Sequence, residues 1–240
     1  ELQRGTNSRV TLGRARDSSP VWSPDATRIA FASDRGDSMN IYTTAASGGG
    51  SEELLLSVHK PEYPVPTDWA RDGRLLLYSA MSPKTGSDLL MLPLEGDKKP
   101  MPIASGSFNE SDGRFSPDVR YVAYVSDESG RNEVYVQTFP PAAGKWQVSA
   151  GGGTRPRWRR DGRELFFLAS DGALMSVAIQ QSGPAALRLG VPQPLTSLRG
   201  AGDFEISPDG ARILAKTALR RQGDNELQIV LNWAAELGAR

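Results

Sequence analysis

The chain has 240 residues, with 28 basic and 28 acidic side chains, a formal net charge of zero and no cysteine. The charge balance offers no electrostatic footprint for nucleic acid. The missing cysteines exclude disulfides, thiolate metal sites and cysteine nucleophiles, and no apolar run approaches the roughly 20 residues of a membrane-spanning helix, so no membrane insertion is expected.

The length suits one large all-β domain or two small ones. Glu1 opens the chain without a methionine or a signal-like segment, which reads as a processed chain or an excised part of a longer one. Cytoplasmic and periplasmic placements in a bacterium both fit.

In chain order, the first predicted element is a lone short strand, "RVTL" at 9–12. "GRARDSSPVW" then leads to the anchor Trp22, followed by "SPDATRIAFAS" and a short strand at 41–42. After the glycine run "SGGGSEE" (48–53), "HKPEYPVPTDW" leads to Trp69, "ARDGRLLLYSA" and a strand at 89–92. "FNESDGRF" leads to Phe115, "SPDVRYVAYVS", a strand at 134–136 and another in "KWQVS" (145–149). "SAGGGTRP" (149–156) leads to Trp158, "RRDGRELFFLA" and a strand at 174–177. "GAGDFEI" leads to Ile206, "SPDGARILAKT" and a strand at 227–231. Only the closing "WAAELGAR" departs from strand character, as a single helical turn or a loose tail.

The anchors Trp22, Trp69, Phe115, Trp158 and Ile206 are 47, 46, 43 and 48 residues apart. Repeats of about 40–50 residues with up to four short strands each describe a β-propeller. We therefore expect one all-β propeller domain over 1–240. Its five four-stranded blades fall at about 17–60, 61–106, 107–150, 151–198 and 199–235. The last repeat supplies three strands, so the strand at 9–12 is expected to complete it and close the ring. The rival arrangement is an open fragment of a larger ring, whose exposed end blades would drive oligomerisation.

The recurring Ser-Pro-Asp groups read as hairpin turns, because proline fixes φ and aspartate accepts backbone N–H bonds. Gly73, Gly162 and Gly210 occupy the next turn position; Ala26 and Val119 replace glycine in the other repeats, and Val119 implies a different turn geometry or strain. The two glycine runs lack the spacing of a nucleotide-phosphate loop and read as connections.

His59 is the sole histidine and lies in "SVHKPEYP" without a nucleophile-elbow motif. The segments before each anchor would lie at the mouth of the central channel. They carry His59, Glu62, Glu110, Asp112, Asp203 and Glu205, interleaved with Arg114, Arg155 and Arg157. Glu62, Glu110, Asp112, Asp203 and Glu205 are the candidate metal ligands. Oxygen-rich convergence there would suit Ca²⁺, Mg²⁺ or Mn²⁺ better than Zn²⁺, with His59 as the candidate catalytic base or a further ligand. The competing reading is a mouth lined with self-neutralising salt bridges.

"WSPD" followed by "IAF.S" resembles the WD-like repeat of TolB-type bacterial propellers. The phrases at 108–140 and 144–179, with the closing "VLNW", resemble the C-terminal propeller of soil-bacterial (acidobacterial-type) serine/threonine protein kinases. That resemblance covers roughly residues 2–235. It implies a non-catalytic sensory module that binds a protein or peptide at the channel face, truncated from a larger protein. The kinase motifs themselves are absent. The alternative function is a metal-dependent hydrolase of esters, phosphoesters or phosphotriesters with its site in the channel.

Overall fold

Runs of β-branched, aromatic and leucine side chains, cut at short intervals by Gly, Pro and Asp, favour short strands joined by tight turns. A computed structural model describes residues 9–36, 38–59, 62–82, 86–141, 144–183, 186–217 and 227–230, and every regular element among them is a β-strand.

The strands form five antiparallel sheets. The first sheet holds β1 (Asp17–Trp22), β2 (Arg28–Ser33), β3 (Asn40–Ala45) and β4 (Glu53–Leu56). The second holds β5 (Tyr63–Trp69), β6 (Leu75–Ser82), β7 (Gly86–Pro93) and β8 (Met101–Ala104). The third holds β9 (Glu110–Phe115), β10 (Tyr121–Ser126), β11 (Glu133–Thr138) and β12 (Lys145–Gln147). In these three sheets strand order follows chain order. The fourth holds β13 (Gly153–Trp158), β14 (Glu164–Ala169), β15 (Ala173–Gly183), β16 (Ala186–Leu189) and β17 (Gln193–Ser197). Here β15 is long enough to pair with both β16 and β17. The fifth holds β18 (Ala201–Ile206), β19 (Ile213–Thr217) and β20 (Leu227–Val230).

The chain packs as two compact units, Glu1–Gly113 and Arg114–Arg240, and the division falls inside β9. In the first unit, Ala30 and Ile41 of the first sheet pack with Leu76, Tyr78 and Leu92 of the second. In the second unit, Tyr121, Val134 and Val136 pack against Leu165, Phe167 and Val177, while Phe166 and Leu174 on the other face meet Phe204 and Ile213. Each fully buried side chain of this size contributes about 1.5–3 kcal/mol of transfer free energy. All residues of β10 and β11 are buried, so both faces are covered and strict apolar–polar alternation is lost.

The Ser-Pro-Asp groups are turn devices. Ser23 Oγ donates to Asp25 Oδ1 (2.5 Å) and accepts the Arg28 N–H (2.9 Å), while the Ala26 N–H closes the turn on the Ser23 carbonyl (2.9 Å). Ser116–Asp118 and Ser207–Asp209 repeat this arrangement, with Tyr121 and Arg212 N–H donating to the two serine oxygens at 2.9 Å. All five turns place their fourth residue in the left-handed region: Ala26 at φ 57°, Gly73 at 79°, Val119 at 58°, Gly162 at 71° and Gly210 at 74°. The geometry at Val119 is therefore shared with the other turns, and its side chain is strained.

The N-terminal segment departs from expectation. Residues 9–12 form no strand, and the fifth sheet has three strands among the described residues. The Arg9 guanidinium donates to the carbonyls of Thr11 (2.7 Å) and Gly13 (2.8 Å), a local fold-back in place of an extended strand. Arg16 N–H then donates to Asp34 Oδ1 at 2.8 Å, tying the following residues to the first sheet. The closing "WAAELGAR" lies outside the described residues.

Candidate functional site

The first strands of four sheets are irregular before their anchors. Pairing register shifts between Ser18 and Val21 in β1, Pro66 and Asp68 in β5, Thr154 and Arg157 in β13, and Ala201 and Asp203 in β18. Such bulges re-aim side chains. Ser19, Asp112 and Arg155 each lie three residues before an anchor, and all three are left-handed, at φ 52°, 53° and 58°. Holding a non-glycine residue there costs about 1–2 kcal/mol. The same repeat position is thus strained in both units, each taken by itself, and in the second unit it belongs to the candidate functional site.

In the second unit this position lies in a defined cluster. The Arg157 guanidinium donates through Nε to Glu205 Oε1 (2.9 Å), through Nη2 to Asp203 Oδ1 (2.8 Å) and through Nη1 to the Pro156 carbonyl (3.0 Å). It stacks over the Phe204 ring, 5.6 Å from the centroid. The Arg157 side chain is 6% exposed, whereas Asp203 and Glu205 are 41% and 60% exposed. Two carboxylates, a carbonyl and an aromatic face together compensate the buried cation. The Phe204 N–H fixes Asp203 Oδ1 at 2.9 Å, and Arg155 lies 3.8 Å from Asp203 Oδ2. Trp158 Nε1 donates to the Arg114 carbonyl at 3.1 Å and holds β13 against β9.

The structure therefore brings Asp203 and Glu205 together, around an arginine. In the first unit, His59 and Glu62 are both exposed, and the Glu62 N–H donates to the His59 carbonyl at 3.0 Å. Glu110 is buried at the start of β9, and Asp112 is half-buried at its left-handed position. Among the described residues, no three His, Asp or Glu side chains are disposed to hold one metal ion. The site's chemistry is that of paired charges and outward polar groups.

Sequence reading named Arg157 as one of several interleaved arginines and did not find it as the hub. Aligning the repeats on their anchors would have pointed to it, because Arg155 and Arg157 occupy the same two positions as Asp203 and Glu205. Arg35 was not found at all. It bridges Asp17 (3.0 Å) and Glu52 (2.9 Å) and covers the Phe31 and Tyr42 rings at 5.1 and 5.0 Å. Burial pushes the Asp17 carboxyl up, but hydrogen bonds from Ser33, Thr11 and Arg35 outweigh it and hold Asp17 below its ordinary range.

No family model matches the chain. Over 78 residues it is 33% identical to an uncharacterized peptidase, YuxL, of Bacillus subtilis (strain 168), a match spanning 32% of this chain and 11% of that protein. Among solved structures, TolB from Acinetobacter baumannii superposes with a TM-score of 0.71 at 20% identity, covering 92% of this chain and 53% of TolB. A putative TolB from Agrobacterium tumefaciens gives 0.62 at 18% identity, covering 84% and 74%. An oligogalacturonate lyase in complex with manganese gives 0.67 at 14% identity, covering 94% and 64%. The chain thus spans about half the length of the first of these structures, and identities this low establish fold alone. The sheets, the repeated turns and these likenesses together place the chain in the all-β class with a TolB-like β-propeller fold.

Proposed function

We propose that the chain is a non-catalytic, sensory propeller module that binds a protein or peptide partner through the Arg155, Asp203 and Glu205 cluster of its second unit. The observation that carries this reading is the engagement of Asp203 and Glu205 by the buried Arg157. Two of the candidate metal ligands are thereby committed to ion pairs, while their outer edges stay accessible for polar recognition. The partly exposed Arg155 beside them adds a guanidinium suited to planar polar groups. The gap-free phrases at 108–140 and 144–179 support the relation to the C-terminal propellers of bacterial serine/threonine kinases.

A displayed random-peptide library, selected on the wild type and counter-selected on Arg155→Glu/Glu205→Lys, tests the reading. Enriched peptides are expected to lose about tenfold or more in affinity for the double variant. Enriched peptides that bind both proteins equally would place recognition elsewhere. An absence of enrichment, together with chelator-sensitive hydrolysis of activated esters or phosphotriesters, would replace binding by metal-dependent catalysis.

A further inference from the structure

The run "SAGGG" at 149–153 has the composition of an anion cradle, and a side chain of the same molecule fills it. The N–H groups of Gly151 and Gly152 both donate to Glu133 Oε1, each at 2.8 Å. The Ser149 hydroxyl donates to Glu133 Oε2 and accepts the Val134 N–H at 2.8 Å. Glu133 opens β11, is 2% exposed, and makes no ion pair among the described residues. Its charge is offset by oriented N–H and O–H dipoles, as in backbone anion nests.

The glycines are required by the geometry. Gly151 and Gly152 have φ of 103° and 106°, and a Cβ on Gly152 would lie 2.8 Å from Ser170 Cβ. Earlier sheets use the same repeat position for the same kind of contact. The Val58 N–H donates to Asn40 Oδ1 at 2.9 Å, and the Gly106 N–H donates to Asp88 Oδ1 at 3.3 Å. Glu133 gathers three donors on its two oxygens.

We infer that the 149–153 loop is a carboxylate-binding nest occupied by Glu133, and that this internal anion is a positioning residue for β13. The loop runs directly into Gly153–Trp158, so holding it sets where Arg155 and Arg157 emerge. The inference rests on the loop alone and is independent of the partner reading. Glutamine at 133 would still accept both glycine N–H groups through Oε1. Its NH₂ would face the Ser149 oxygen, which already accepts the Val134 N–H, and the serine proton would lose its acceptor. Alanine would leave three donors facing a space the size of a small carboxylate.

The test measures thermal unfolding of wild type, Glu133→Ala and Glu133→Gln in sodium chloride and in sodium formate at equal ionic strength. Amide exchange at Gly151 and Gly152 is followed in the same samples. Glu133→Ala should melt about 6–12 °C below wild type. About 0.2 M formate should return a third or more of that loss and slow exchange at both glycines, while wild type and Glu133→Gln shift no more than in chloride. Wild-type stability in Glu133→Ala, or a loss that formate does not reverse beyond chloride, would overturn the inference. Should Glu133→Ala fail to fold, exchange decides between the other two proteins. Faster exchange at Gly151 and Gly152 in Glu133→Gln is expected, and equal exchange would overturn the role of the charge.

Discussion

Replacing Val119 by glycine should stabilise the protein although it removes a side chain. Val119 is the fourth residue of the Ser116-Pro117-Asp118 turn, and its N–H donates to the Ser116 carbonyl at 2.8 Å. The same bond closes the turns at Gly73 and Gly162 (2.9 Å) and Gly210 (2.8 Å), with φ between 71° and 79°. Backbone and hydrogen bond are common to all, so the difference lies in the Cβ and its branching. A non-glycine residue at φ 58° costs about 1–2 kcal/mol, with a β-branched one at the upper end. Glycine gives back about 0.5–1 kcal/mol through the larger entropy of its unfolded chain. Losing the half-buried isopropyl group gives back about 0.5 kcal/mol more. The balance is a gain of about 0.5–1 kcal/mol, or about 1–4 °C in melting temperature for a chain of this size. Urea unfolding followed by tryptophan fluorescence measures it directly. Gly162→Val is the mirror experiment. A Cβ there lies 3.6 Å from Pro117 Cδ, an ordinary contact, so a backbone cost of about 2 kcal/mol, less about 0.5–1 kcal/mol of unfolded-chain entropy, leaves a net loss of about 1–1.5 kcal/mol. Val119→Gly destabilised by more than about 1 kcal/mol, with Gly162→Val neutral, would refute the reasoning.

Two other perturbations follow from the charged groups. Arg157→Met should cost about 1–2 kcal/mol, because the freed Asp203 and Glu205 are 41% and 60% exposed and water can solvate them. Asp203→Ala/Glu205→Ala strands a guanidinium that is 6% exposed and should cost about 3 kcal/mol; urea midpoints giving the reverse order would contradict the placement of the buried charge. Hydrogen bonds from Arg159, aided by the Arg163 N–H, hold Asp161 down to about 2 against an ordinary 3.8. Because the folded value is depressed, its contribution is full above about pH 4 and disappears as pH falls toward 2. Asp161→Asn should therefore flatten the acid limb of stability in that window, and an unchanged limb would show that the Arg159 contact contributes nothing.

The repeat was legible because its anchors and turns recur with nearly constant spacing, and that spacing alone fixes which runs become strands. The turn reading of Ser-Pro-Asp followed from once-per-repeat occurrence. What repetition does not encode is which acceptor captures a given donor. "RVTL" has strand composition, yet Arg9 folds back onto the Thr11 and Gly13 carbonyls. Asp203 and Glu205 have the composition of metal ligands, yet a bulge in β13 aims Arg157 at both. The glycine run at 149–153 reads as a simple connection because Glu133, which fills it, lies 16 or more residues upstream. A repeat-aligned reading of Asn40, Asp88 and Glu133, each at the start of a third strand or two residues into it, would have exposed that pattern.

In the proposed function, Asp203 and Glu205 serve as partners of Arg157 on a binding surface and not as ligands of a catalytic metal. Equilibrium dialysis of the purified chain against Ca²⁺, Mg²⁺ and Mn²⁺, followed by elemental analysis, tests it most directly. Wild type is expected to hold no stoichiometric ion, and Asp203→Asn/Glu205→Gln is expected not to differ from it. One bound ion per chain that disappears in that double variant would contradict that assignment.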